Sequence, residues 1–508
     1  MALPPRCAYG GAHVPEDRSM TDTPTTPAEA PASTPAARSI AAPFAALLLA
    51  VLSFSLMQTM VVPALPNLRE EFGASTTGVS WVISSFLLTA SVATALLGRV
   101  GDMFGKKRVL IASLSVFALG TLLAALSDSL GLLIAARAVQ GVGSAAFPLA
   151  FGIVRDQFPR ERVPVAIGLI SSTFGIGFGV GLVIPGPIVD ALDWHWIFWL
   201  GLIVILLGIA AVAAFIQESS VRSPGRIDWP GVFLLSAGIV ALLLAISQGK
   251  SWGWASVSVI GLFVAALVLL AVFWYVETKV REPLIDIELL RRPAVLTSHI
   301  TALIIGFGMY GAFTLVPLLA QTPSRAGYGF DASVTESGLF MVPMAVTMLF
   351  ASPLAGRLGA AFGWKLPLVL ACLIGVVGFV VYAAAHDSEW AMYAGSAVLG
   401  IGVGFAFAAL ANLVVSAVDR SQTGQATGIN TIMRTIGGSL GAQIAASLVA
   451  AETIPGTPIP VESGYTTAFV MSAVALGVAT LAALAGPGSL RRKAVAAAPA
   501  PSSGPSAA

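Results

Sequence analysis

Runs of twenty or more mostly apolar residues, separated by loops of only a few, make up most of this chain. A run of that length crosses the roughly 30 Å hydrocarbon core of a bilayer as a helix. Inside that core every backbone group must be satisfied within the element, which leaves helices or closed barrels. Charged residues are 10% of the 508 and hydrophobic residues 56%, against about 25% charged in a soluble domain. Apolar length and loop chemistry predict about 14 transmembrane helices, an all-α integral membrane protein.

One loop fixes the plan further. Gly98-Arg99-Val100-Gly101-Asp102-Met103-Phe104-Gly105-Lys106-Lys107-Arg108 is short, broken by glycine and strongly basic. It recurs, 258 positions later, as Gly356-Arg357-Leu358-Gly359-Ala360-Ala361-Phe362-Gly363-Trp364-Lys365. Gly168, Gly177 and Gly181 recur as Gly428, Gly437 and Gly441, displaced by 260. A repeated loop between membrane helices marks a duplicated bundle, the usual plan of a transporter. The displacement exceeds six spans of about 25 residues with short loops, and the excess matches two helices between Arg226 and Glu277. The expected organisation is a disordered cytoplasmic tail (1–40), an N-terminal six-helix bundle (41–217) and a linker with two inserted helices (218–292). A C-terminal six-helix bundle (293–487) and a second disordered cytoplasmic tail (488–508) follow. The inserted pair carries no intramembrane charge and is expected to be peripheral to the transport path.

Charge supports this count. Assigned alternately, the loops and tails of one side hold 22 of the 27 Lys and Arg residues, and the other side holds Arg69, Lys250 and Arg325. Positive charge stays in the cytoplasm, so both termini are expected there, in a multi-pass protein of the plasma membrane. The basic residues form no stripe, which argues against a nucleic-acid partner. Two cysteines, Cys7 and Cys372, give neither a disulfide framework nor metal-ligand spacing, and no metal is expected. No phosphate loop or nucleophile–base pair stands out, so the chain is not read as an enzyme.

The basic loop resembles the signature of the major facilitator superfamily, carried by Gly98, Gly101, Asp102, Gly105, Lys106 and Lys107. Arg137-Ala138-Val139-Gln140-Gly141-Val142-Gly143 resembles that superfamily's fourth-helix motif. Pro317, Gln321, Gly338, Pro343 and the stretch Asn430–Gly438 resemble its fourteen-helix drug:proton antiporter branch. Where that branch usually carries an acid ahead of Ala64-Leu65-Pro66, this chain has Met57 beside Gln58. The resemblance implies a multidrug efflux type of carrier, monomeric, with no cofactor beyond the proton motive force. It also implies that Gln58, Trp81, Phe86, Phe147, Phe307, Tyr310 and Asn430 lie on helices lining a central substrate cavity.

Two readings stay open for each special residue. Asp102 is either a conformational latch onto the helix starting near Gly424 or a solvated loop acid; a carboxylate at a helix N-terminus contributes about 0.3–1 kcal/mol. Arg137, with Gln140, either responds to proton or substrate binding or donates to backbone carbonyls where Pro63 and Pro66 break the first helix. Arg434 is read as its counterpart in the C-terminal half. Asp190 is either the proton carrier or a surface acid beside Trp194. The glycines of the fifth helix, at spacings of four, allow close helix approach. The expected function is export of amphipathic small molecules, drugs or secondary metabolites, by proton-coupled alternating access; the alternative is a carrier for a specific metabolite or organic anion.

Overall fold

The computed structural model describes residues 40–485 except 224, 281, 282, 286 and 458, together with the side chains of all but a few of these. Both predicted tails fall outside the described residues. The first six long helices are Ala41–Thr59 (α1), Thr76–Phe104 (α2), Lys106–Ala125 (α3), Leu130–Gln157 (α4), Val163–Val183 (α5) and His195–Phe215 (α6). The inserted pair is Trp229–Trp252 (α7) and Val257–Glu277 (α8). The second six are Pro293–Ala320 (α9), Val342–Phe362 (α10), Lys365–Ala385 (α11), Glu389–Ala417 (α12), Thr423–Val449 (α13) and Glu462–Ala485 (α14).

Thirteen of these regions are long and apolar enough to cross a membrane. The exception is α13, a helix of 27 residues dotted with Thr, Gly, Gln, Asn and Arg. Its polarity follows from its position: Thr423 to Asn430 is buried against other helices and never meets lipid. Local signals set the helix ends. Ser75, Ser129, Asp228 and Ser256 each accept a first-turn backbone N–H, capping α2, α4, α7 and α8. Gly105 takes φ +115°, which only glycine adopts freely, and lets α2 turn sharply into α3. Within α4, Gly141–Ala145 tightens to a 3₁₀ turn, and a Cβ at Gly141 would stand 2.7 Å from the Phe86 carbonyl.

The two bundles meet along two seams, α2 against α13 and α5 against α10. The repeat relates them. A Cβ on Gly98 would lie 2.4 Å from the Gly424 carbonyl, and one on Gly356, the equivalent position, 2.5 Å from the Pro164 carbonyl. Gly428 faces the Thr94 carbonyl at 2.7 Å and Gly168 the Ser352 carbonyl at 2.5 Å. No larger residue fits at any of the four, because the obstacle is backbone. The glycines of α5 serve two neighbours at once. Gly177 and Gly181 face Ser55 and Thr59 of α1, while Gly175 and Gly179 face Met348 and Ala345 of α10. In lipid, helices associate through close packing of this kind.

The inserted helices differ from the peripheral pair the sequence suggests. Only α8 is peripheral, with Ile260, Val264, Leu267 and Val268 exposed. α7 packs into the α2–α13 seam, where Ile239, Leu243 and Ile246 cluster with Ala95, Ile432 and Ile436.

Candidate functional site

The side chains that matter fall into three groups: a closure at the face carrying Arg99–Arg108 (the basic face), which is not a loop but the end of α2 and the start of α3 joined at Gly105, a cavity between the bundles, and an arginine network in the N-terminal bundle.

The closure is built on Asp102, in the last turn of α2. Its Oδ2 accepts the N–H of Gln425 at 3.0 Å and its Oδ1 accepts that of Gly424 at 3.3 Å. These are first-turn amides of α13, which has no side-chain cap of its own. The N-terminal bundle therefore supplies the anion that the N-terminus of α13 needs. Asp102 and Lys106 are fully buried. Lys106 Nζ lies 3.3 Å from Asp102 and 2.8 Å from Asp156 Oδ2, so the lysine is shared between two carboxylates. Two residues not singled out in the sequence complete the closure. Arg155, on α4, donates to the carbonyls of Val418 (2.7 Å) and Asp419 (2.9 Å) and to Thr423 Oγ1 (2.7 Å). Glu218, beyond α6, accepts the N–H groups of Lys107 and Arg108 at 3.1 Å and so caps α3. Gly101 and Gly105 are spacers here: a Cβ on either would strike Leu149 or the Glu218 carboxylate. Lys107 Nζ ties the loop to the Ala213 carbonyl at 2.8 Å.

The cavity, about 220 Å³, lies on the far side of this closure, between α1, α2, α4 and α5 of one bundle and α9 and α13 of the other. Gln58, Phe147 and Tyr310 line it. Asn430 lies in a smaller adjoining pocket that shares Phe147, Phe174, Thr431 and Arg434. Trp81, Phe86 and Phe307 are in neither wall. Phe86 is buried, stacked on Phe54 with ring centroids 5.6 Å apart. Phe307 gives its backbone to Gly441. Phe174 is the central aromatic that sequence reading missed. It contacts Phe147 at 6.2 Å, Phe407 at 5.1 Å and Tyr310 at 6.4 Å, joining the two bundles.

Arg434 and Arg137 each lie over a phenyl ring, Phe407 at 4.1 Å and Phe86 at 4.2 Å, but they are not equivalents in the repeat. Arg434 is on α13 and aligns with Phe174 of α5; Arg137 is on α4 and aligns with Ser396 of α12. Arg434 faces the cavity beside Tyr310. Arg137 is fully buried. It donates to the Val82 carbonyl (3.1 Å), the Met57 carbonyl (3.1 Å) and Gln140 Oε1 (2.7 Å). Gln140 in turn donates to Thr121 Oγ1 at 2.7 Å. Arg137 therefore reaches the first helix at Met57, in the last turn of α1, rather than at the Pro63–Pro66 break. Asp190 lies in the short helix Pro185–Ala191, and its side chain is outside the described residues.

The profile of the Major Facilitator Superfamily matches residues 47–442. An uncharacterized transporter of this type from Mycobacterium tuberculosis (strain H37Rv) is 31% identical over 78% of this chain and 57% of its own length, so the chain spans little more than half of that relative. Multidrug transporter protein MdtP of Bacillus subtilis (strain 168) is 28% identical over 78% of this chain and 72% of its own. The tetracenomycin C resistance and export protein of Streptomyces glaucescens is 27% identical over 80% and 75%. The crystal structure of the human organic anion transporter MFSD10 (TETRAN) superposes with a TM-score of 0.66 at 16% identity, covering 87% of this chain and 99% of that one. Two six-helix bundles related by a repeat, a basic loop that closes one face and a family match over most of the chain lead to one conclusion: the chain belongs to the major facilitator superfamily.

Proposed function

We propose that this protein exports amphipathic small molecules, drugs or secondary metabolites, by alternating access driven by inward proton flow. The observation that carries the reading is a cavity between the bundles, lined by Phe54, Phe147, Phe174 and Tyr310 and closed at the basic face by Asp102. Aromatic walls accept apolar and planar groups of many shapes, the requirement for broad specificity. Relatives named for multidrug transport and for export of tetracenomycin C support the same class. The protein would act as a monomer in the plasma membrane with the basic face and both termini in the cytoplasm, using no cofactor besides the proton motive force. Cells expressing the chain and loaded with a fluorescent amphipathic dye should lose it faster than control cells. A protonophore should abolish the difference. Dye loss equal to the control, or unaffected by the protonophore, would contradict export or its coupling respectively.

One observation favours a second reading. Arg434 is the one charged side chain in the described cavity wall, which holds no carboxylate. A desolvated cation attracts an anion and repels a cation. A carrier for an organic anion would therefore prefer an anionic dye to a cationic one of equal size, and Arg434→Gln would remove that preference.

A further inference from the structure

The two seams between the bundles are closed differently. α5 and α10 touch from Gly168 against Ser352 to Gly179 against Ala345. α2 and α13 approach backbone to backbone toward the basic face, at Gly98–Gly424 and Thr94–Gly428. Farther along, both helices turn residues into the cavity, Leu87 and Ser91 from one and Ser439 and Gln443 from the other. α7 stands at the lipid side of that gap, and its Ser247 belongs to the cavity wall. Ser247 Oγ is 3.0 Å from Ser84 Oγ of α2. The rest of the α7 contact with α2 and α13 is aliphatic, with Ile239, Leu243 and Ile246 against Ala95, Ile432 and Ile436, while α7 also packs on α8, where Gly231 lies against Glu277.

Parting an aliphatic contact in a bilayer exposes apolar surface to lipid tails that are equally apolar, so no hydrophobic force holds α7 in place. Parting α5 from α10, or opening the basic face, breaks tight glycine packing or buried charged hydrogen bonds instead. The cavity must also widen: about 220 Å³ is below the roughly 300–1,000 Å³ of pockets for drug-sized ligands, so a helix of its wall has to move to admit one.

We propose that α7 is a side door, through which an apolar or amphipathic substrate passes between the cavity and the bilayer when α7 parts from α2, the Ser84–Ser247 hydrogen bond being its clasp. The proposal deepens the export reading above and rests on it. It also gives a role to an inserted helix that has no equivalent at the α5–α10 seam.

The test is a Ser84→Cys/Ser247→Cys double variant in a chain carrying Cys7→Ser and Cys372→Ala. The hydroxyl oxygens are close enough for a disulfide to bridge the two positions. Oxidation should slow export of a neutral, lipid-partitioning dye by at least about tenfold, and a reductant should restore it, as expected when a gate limits turnover. In the Ser247→Cys single variant, a lipid-soluble maleimide should react faster than a membrane-impermeant one. Equal export by the cross-linked and reduced forms, or labelling by the impermeant reagent alone, would overturn the side door and leave the export reading standing. A disulfide-free parent that exports no dye would overturn the export reading, and the side door with it.

Discussion

Asp102 Oδ2 accepts the backbone N–H of Gln425 at 3.0 Å, a hydrogen bond between residues 323 positions apart in the chain. It joins the last turn of one bundle's second helix to the first turn of the other bundle's fifth. A carboxylate that caps a helix inside its own bundle stabilises that helix in every state of the protein. Asp102 caps across the seam, so its contribution exists only while the basic face is closed. The same residue is ion-paired to Lys106, which also holds Asp156. The closed face is therefore a charged network with Asp102 and Lys106 buried at its centre, where each hydrogen bond to a charged group contributes about 1.5–3 kcal/mol.

Asp102→Asn keeps the shape and removes the charge. Loss of one charged hydrogen bond, about 1.5–3 kcal/mol, shifts a two-state equilibrium roughly tenfold or more toward opening of the basic face. Spin labels at the exposed positions Arg160 and Ser416 should move apart, and export should slow. An unchanged label distance would show that Asp102 is not a latch.

Gly98→Ala tests the same face without touching charge. The added Cβ would stand 2.4 Å from the Gly424 carbonyl, where backbone cannot yield. Overpacking of this kind costs about 1–3 kcal/mol, here charged to the closed state alone. Gly356→Ala, 2.5 Å from the Pro164 carbonyl, should do the same at the other seam. Cysteines placed along α2 and α13 should become reactive from the basic face in both variants.

Arg137→Lys retains the charge and loses the planar fork that reaches Val82, Met57 and Gln140 together. At least one buried carbonyl is left without its donor, at about 1–3 kcal/mol. Export per folded protein, quantified against a fluorescence size-exclusion peak, should fall about tenfold or more while the amount inserted stays within about twofold. A variant exporting at the parental rate would contradict a tuned role for the guanidinium.

Orientation is checked by labelling. Arg325, exposed in the turn Ser324–Ala326, lies on the face opposite the basic loop, and Arg222 is exposed on the basic face. In intact cells, a cysteine at Arg325 should react with an impermeant reagent and one at Arg222 should not. The reverse pattern would place the basic face outside, against the charge asymmetry of the loops.

Much of the architecture is written locally and so is legible in the sequence. Apolar length specifies a span, and a displacement of 258 to 260 positions specifies a duplicated bundle with two added helices. The glycine pattern of α5 even specified a helix made for close approach. What the chain does not state locally is which neighbour each face meets. α13 breaks the hydropathy rule because it is enclosed, and enclosure is a property of the assembled bundles. Arg434 looks like a partner of Arg137 by residue type, yet the repeat aligns it with Phe174, and only packing places it over Phe407 beside the cavity. Trp81, Phe86 and Phe307 stand on the expected helices and point elsewhere, since a helix of 3.6 residues per turn presents most of its side chains away from any one cavity. The inserted pair, without charge in the middle of either span, read as uniform; only packing separated α7, a wall of the cavity, from α8, a lipid-facing helix. The sequence by itself determined the helices, their order and the repeated basic motif, because these depend on composition and spacing along one chain. Tertiary structure alone decided the cavity and its closure, because both are made by backbone and side chains that meet across hundreds of residues.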